Sequence, residues 1–386
     1  MLALRLARGA HPLVQLRRLL VAAASAGTGF LLLCTLGYAM GHPDASAGSL
    51  LRLAWCLIPL AATVYFAVSV ARSDPGTKPR PGLSAVGLGP ARLTLISAIS
   101  TAIACTLGSM LALLFFLHLR GDLSGLPFDG AARQLLAADR PLPLAAALTL
   151  LTFVPLAASG ASAVALRPKA VRPGKSAAET GQDPAPAPTG LPWGVALLAA
   201  GLAVETYASH ARGGDGLPMP GGLGGSPSGV LAGWALTALG LALAGPGLTY
   251  QCGRALQAVR PGAVRLLAGR VLQEEARRIG RPLGVVCAVF SGAYAANVLY
   301  RAEPDPGPLS TLGAALVVGC TVATLATAAI EARQERRHTT AALLRLGAPA
   351  TMLRSAAALR AGALLAMFGP LTWAVAELSA IPLAQR

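Results

Sequence analysis

Residues 331–360 read EARQERRHTTAALLRLGAPATMLRSAAALR. The charges Glu331, Arg333, Glu335, Arg336 and Arg337 come first, followed by Ala341-Ala342-Leu343-Leu344-Arg345-Leu346-Gly347. Apolar stretches stand on either side, at 309–330 and 361–381. Each is long enough to cross ~30 Å of hydrocarbon, which takes about 20 residues. The charged insert therefore lies in water between two crossings. It reads as a short amphipathic helix on the membrane surface, ending at Gly347. A chain otherwise immersed in lipid presents such a helix so that something soluble can grip it.

The bulk numbers agree with a membrane reading. The chain is 54% hydrophobic and 12% charged, with a mean hydropathy of +0.60. Soluble domains carry roughly 25% charged residues. Candidate spans are 19–40, 51–71, 93–118, 142–165, 190–207, 229–252, 282–299, 309–330 and 361–381. That predicts an all-α polytopic membrane protein of about nine helices, within a range of roughly eight to ten. The first span is preceded by basic residues, as a signal peptide is, but its apolar run from Leu19 to Met40 exceeds the usual ~7–15 residues. It is expected to stay uncleaved.

The formal charge of +16 raises the question of nucleic acid, and its distribution answers against it. With the N-terminus placed in the cytosol, the inner segments collect Arg17 and Arg18, Arg72, Lys78, Arg80 and Arg92, Arg167 to Lys175, and Arg254 to Arg281. They also hold Arg333, Arg336, Arg337, Arg345 and Arg354. The outer segments hold only Arg120, Arg133, Arg140, Arg212, Arg301 and Arg386. This is the positive-inside bias, and anionic lipid headgroups are the expected partners of the surplus. The threading predicts a multi-pass protein with a cytoplasmic N-terminus. The preference for arginine over lysine fits a GC-rich bacterial genome, hence a bacterial plasma membrane.

Cys34, Cys56, Cys105, Cys252, Cys287 and Cys320 all fall in or beside apolar spans, with no CxxC. They read as small packing residues rather than disulfides or metal ligands. His11, His42, His118, His210 and His338 are scattered and form no metal motif.

An internal repeat organises the chain. Ala3-Leu4-Arg5-Leu6 answers Ala263-Val264-Arg265-Leu266, and Leu88-Gly89-Pro90-Ala91 answers Leu346-Gly347-Ala348-Pro349. The two offsets agree within a few residues. Basic residues precede each copy of the second match: Lys78 and Arg80 in one, Arg336 and Arg337 in the other. The expected layout is a first module at 1–165 with four helices and a Pro/Ala-rich cytosolic linker at 166–189. A connecting helix pair at 190–252 and a second module at 253–386 with three helices follow. Six spans separate the module starts, an even number, so the modules are expected to be parallel. Small residues such as Ala98, Ser100, Ala102, Ala104 and Gly108 predict close helix packing. Pro155, Pro246 and Pro370 are candidate kinks.

Glu335-Arg336-Arg337, then Leu344-Arg345-Leu346-Gly347-Ala348 and a long apolar helix, resembles the FtsX-like permease family of ABC transporters. The resemblance covers both repeats and is clearest at 331–360. It implies a permease subunit without ATPase activity of its own. A separate cytosolic ABC-type ATPase, carrying ATP and Mg²⁺, would dock on the cytosolic helices, and a second permease copy would be a further partner. The coupling residues so implied are Glu331, Arg333, Glu335, Arg336, Arg337, Leu343, Leu344, Leu346 and Gly347, with Lys78, Arg80, Leu83, Leu88 and Gly89 in the first module. The leucines would fill a groove in the partner, and Arg336 and Arg337 would meet acidic residues on its rim. Gly347 and Gly89 would let the chain turn sharply. Family members often carry a large extracytoplasmic domain. Here the outer loops, 41–50, 119–141, 208–228 and 300–308, are short.

No phosphate-binding loop is present. Gly174-Lys175-Ser176 lacks the earlier glycine at the required spacing, and no enzymatic activity or bound cofactor is expected on this chain. Intramembrane acids are functional candidates. Glu205 is expected near the outer end of its span, where interfacial solvation competes with a place in a transport path. Glu377 and His118 also sit near span ends. Two alternatives stand beside the ATP-driven permease. One is a gradient-driven carrier using Glu205, and the other is a non-transporting regulator that relays ATPase state to an outer enzyme.

Overall fold

The computed structural model describes residues 12–74, 90–123, 130–134, 136–167, 187–210, 228–258, 262–300 and 307–384. All regular structure among them is helical. In chain order the helices are α1 (Pro12–Gly41), α2 (Ser46–Trp55), α3 (Leu57–Ser73), α4 (Pro90–Arg120) and α5 (Leu144–Ala165). They continue as α6 (Leu191–His210), α7 (Ser228–Gln257), α8 (Ala263–Tyr300), α9 (Pro308–Arg345) and α10 (Ala350–Ala384). The α2–α3 pair counts as one crossing, Ser46–Ser73, bent at Cys56. Nine spans among the described residues are long and apolar enough to cross a membrane.

Two features differ from the sequence expectation. Residues 263–281 and 331–345 are not separate surface helices: they continue the helices of their neighbouring spans, giving α8 and α9 a length of 38 residues each. At 1.5 Å per residue that is about 57 Å, nearly twice the hydrocarbon thickness. For α9 the reason is local. Between Gly319 and Gly347 the sequence has no glycine or proline and is rich in Ala, Glu, Gln, Arg and Leu, all good helix formers. The helix therefore continues unbroken past its span.

The chain divides into two compact units: residues 1–171 with 307–320, and residues 172–306 with 321–386. Helices α6 and α7 belong to the second. Most of the expected linker, 168–186, lies outside the described residues.

In the first unit, α1 packs along α4 and α5, and α4 also packs along α5. Leu33, Phe116, Ala147 and Leu151 form the core here, with Phe30 edge-on to Phe115 at 5.6 Å. Short hydroxyl side chains tie the helices. Ser25 Oγ donates to the Cys105 carbonyl at 2.8 Å, Ser109 Oγ donates to the Leu151 carbonyl at 3.2 Å, and Thr28 meets Thr63 at 2.9 Å. Lipid supplies no hydrophobic drive between helices, so close packing and such bonds carry the association.

The second unit is built on glycine. Gly194 and Gly201 on α6 sit seven residues apart, as do Gly233, Gly240 and Gly247 on α7. The two sets interdigitate. A Cβ on Gly201 would lie 2.4 Å from Thr237 Oγ1, one on Gly240 2.5 Å from the Leu198 amide nitrogen, and one on Gly247 2.5 Å from Leu191 Cβ. A second glycine face of α7, Gly245 and Gly253, meets Gly280, Gly284 and Gly269 of α8. Thus α6, α7 and α8 form a layer of closely apposed backbones. Helix α10 covers it: Phe368 and Val375 join Leu241 and Cys287 in one buried cluster. In both units the first helix of the repeat, α1 or α8, packs along the third, α4 or α10.

Candidate functional site

Helix α9 leaves its span at about Ala328 and carries a patterned set of charges. Glu331 and Glu335 are four apart, and so are Arg333 and Arg337. Like charges at that spacing share a helix face and repel, so each stripe needs opposite charge from elsewhere. Helix α8 supplies it to the acidic stripe and to Arg336. Arg336 Nη1 donates to Glu275 Oε2 at 3.0 Å, and Arg278 Nη1 donates to Glu335 Oε2. Glu331 stands within electrostatic range of Arg278. Arg360, on α10, stands within range of both Glu275 and Arg336. These charges form a knot between α8, α9 and α10, in which Glu274 also stands within range of Glu275. The Arg336–Glu275 pair is its sheltered part, with side chains 28% and 11% exposed. The Arg278–Glu335 pair is open, at 39% and 42%.

Beyond the knot, α9 ends in a defined cap. The Gly347 N–H donates to the Leu344 carbonyl at 3.1 Å and the Ala348 N–H to the Leu343 carbonyl at 3.0 Å. Gly347 has φ +88°. These two bonds and a left-handed residue make a Schellman motif, and Pro349 then leads into α10. The turn expected at Gly347 is present. The tip presents apolar surface, with Leu344 46% and Leu346 83% exposed. Leu343 is half-buried, Arg345 is exposed beside it, and Arg337 and Arg333 are exposed further back along α9.

Of the sequence-derived coupling residues, Glu331, Glu335 and Arg336 meet in the knot, while Arg333, Arg337, Leu344, Leu346 and Gly347 are on the outside. One expectation changes: Arg336 faces Glu275 of its own chain, so an acidic partner would meet Arg337, Arg333 and Arg345 instead. Lys78, Arg80, Leu83, Leu88 and Gly89 lie outside the described residues. Glu275, Arg278 and Arg360 escape a reading of the sequence alone. The signal that points to them is the unpaired like-charge spacing on α9.

The first unit has its own charged joint. Arg17 Nη1 of α1 donates to Ser73 Oγ at 3.0 Å, and Arg18 Nη2 donates to Asp74 Oδ2 at 2.7 Å, just past the end of α3. Arg18 and Asp74 border a small cleft lined also by Ser97, Ser100 and Thr101 of α4.

Glu205 departs furthest from expectation. It is not solvated at an interface but 1% exposed inside the second unit. The cause is the glycine seam: with no side chain on Gly233, α7 comes so near that a Cβ there would lie 2.5 Å from Glu205 Cγ. Thr237 Oγ1 donates to Glu205 Oε1 at 3.0 Å. The buried Ser379 hydroxyl of α10 faces the same carboxyl. Glu205 Oε2 makes no hydrogen bond among the described residues. Glu377 is half-buried and accepts a bond from the Tyr294 hydroxyl at 2.8 Å.

Neither a family model, nor a curated protein, nor a solved structure matches this chain.

Proposed function

We propose that this chain is the transmembrane permease subunit of an ATP-driven, ABC-type transporter in a bacterial plasma membrane, with its N-terminus in the cytoplasm. It couples a separate cytosolic ATPase, which carries the ATP and Mg²⁺, to export or to movement at the outer face. The observation that carries the reading is the exposed tip of α9. Leu344 and Leu346 stand at the end of α9 beside Arg345, with Arg337 and Arg333 exposed further back along the helix, which is tied to α8 by Glu275–Arg336 and Arg278–Glu335. A motor can do work on a membrane protein only through a surface that it binds differently in its nucleotide states. A tip that is apolar, flanked by a basic residue and braced to a neighbouring helix fits that task, because a push on it is shared with α8.

The test is co-purification with a nucleotide-binding subunit, read together with ATP hydrolysis in lipid nanodiscs. Leu344→Asp with Leu346→Asp should remove the ATPase from the purified protein and uncouple hydrolysis, with the helical spectrum unchanged. Full solute flux in liposomes that hold no nucleotide-consuming partner would overturn the proposal in favour of a gradient-driven carrier. Nucleotide-linked motion without flux would favour a regulator that relays ATPase state outward.

A further inference from the structure

The Glu205 carboxyl is deeply enclosed. It sits where α6, α7 and α10 meet, at 1% exposure, with Thr237 at 5% and Ser379 at 5% around it. Gly201 and Gly233 bring the two main chains together beside it. An ionised carboxylate in such a place is strongly disfavoured unless a cation or a full set of hydrogen bonds offsets its lost hydration. The set here is partial. Oε1 accepts one bond, from Thr237, and Oε2 accepts none among the described residues.

Charged groups on the adjoining elements do not fill the gap. On α6 itself, Tyr207 is exposed and His210 is turned to the Thr206 carbonyl through Nδ1 at 2.7 Å. On α7 the ionisable side chains, Tyr250, Cys252 and Arg254, lie a dozen or more residues past Thr237, about 20 Å along the helix. On α10 the nearest is Glu377, itself an acid and already bonded to Tyr294 of α8.

We propose that Glu205 is a proton-binding site that latches α6 onto α7 and α10. In the closed arrangement the carboxyl is the neutral acid. It accepts from Thr237 at Oε1, while the proton on Oε2 gives that otherwise unbonded atom a donor aimed at the Ser379 hydroxyl. One proton is taken from water on closing and one is returned on opening. Opening lets water reach the carboxylate, so the ionised form belongs to the parted state. Proton binding favours the arrangement that holds the proton more tightly. For one proton the closed-to-open ratio therefore rises by up to about tenfold for each unit by which pH falls. The latch stands on the geometry of the second unit alone and is independent of what moves α9.

The test uses the full-length protein in lipid nanodiscs and two readouts. The first is the infrared C=O stretch of a protonated carboxyl, compared with Glu205→Gln. A band that persists at neutral pH and vanishes in Glu205→Gln is expected, and its absence at neutral pH would overturn the proposal. The second is the distance between spin labels placed at the exposed positions Tyr207 on α6 and Leu239 on α7. It should lengthen as pH is raised in the otherwise native protein and stay short in Glu205→Gln. An equal pH response in both would also overturn it. Should Glu205→Gln not fold, Thr237→Val keeps the carboxyl and removes the Oε1 bond. The same infrared band must then shift in frequency, and an unshifted band would count against the assignment.

Discussion

Arg336 and Glu275 join α9 to α8 at 3.0 Å, and in the first unit Arg17 and Arg18 join α1 to the end of α3. Glu275 follows Arg17 by as many positions as Leu346 follows Leu88. In the first unit the cations are on the first helix of the repeat, at Arg17 and Arg18, and the acceptors Ser73 and Asp74 close its second span. In the second unit the acid Glu275 is on the first helix and the cation Arg336 on the second. The partner ends do not share that register: at the same offset Arg336 answers Lys78 and Ser73 answers Glu331, so the two ties are alike in joining a first helix to a second but not residue for residue.

The Arg336–Glu275 tie predicts a recovery on charge exchange. Glu275→Arg brings a fourth arginine beside Arg336, Arg360 and Arg278, so it should lower the unfolding midpoint more than Arg336→Glu does. The double exchange should recover most of the loss. For a half-sheltered pair the coupling is on the order of 1 kcal/mol. Thermal unfolding of the four proteins in one detergent measures it. High salt should shrink the difference, because much of the knot is open to solvent.

The glycine seam predicts a sharp contrast between positions of identical type. Gly201→Ala puts a methyl 2.4 Å from Thr237 Oγ1 and 2.6 Å from the Thr237 nitrogen. Backbone cannot yield there without parting α6 from α7, so a loss of roughly 1–3 kcal/mol is expected. Gly362→Ala on α10 meets nothing within 4 Å and should gain up to about 1 kcal/mol from helix propensity. Denaturation in mixed detergent would read both. Equal effects at the two sites would refute the seam as the organising contact.

Much of the fold is legible in the sequence because membrane helices announce themselves: a run of apolar residues long enough to cross lipid has few other solutions. The break between α2 and α3 at Cys56 has a mark in the sequence that the candidate kinks left out: Pro59 has no N–H to give to the Trp55 carbonyl, and its ring crowds that carbonyl. The continuity of α8 and α9 past the membrane is hidden. A charged segment suggests a new element, although its residues in α9 are good helix formers with no breaker before Gly347. The burial of Glu205 is hidden because position along one helix says nothing of what packs over it. That burial follows from Gly201 and Gly233 together, and the seven-residue spacing of glycines on both helices is the available clue.

The cap of α9 predicts a specific tolerance. Gly347 sits at φ +88°, and a Cβ added there would meet nothing within 4 Å. Any penalty there is conformational rather than steric with neighbours. Gly347→Ala should cost about 1–2 kcal/mol locally, and Gly347→Asn less, since asparagine visits the left-handed region more readily. Hydrogen exchange at the amides of Gly347 and Ala348 would show it as faster exchange in Gly347→Ala, with the rest of α9 unchanged.

The charge-based topology predicts one-sided labelling, and the buried cysteines make the experiment clean. All six thiols are enclosed, so the native protein should react slowly with a membrane-impermeant maleimide from either side. Arg333→Cys places an exposed thiol on the part of α9 that runs beyond its span, and Arg133→Cys places one in the segment after α4. In oriented vesicles the Arg333→Cys protein should label only from the cytosolic side, and the Arg133→Cys protein only from the opposite side. Arg333 belongs to the basic surplus that the proposed threading assigns to the cytosol. The α9 tip shares its helix, so labelling of the Arg333→Cys thiol from outside would remove the tip from the reach of any cytosolic ATPase.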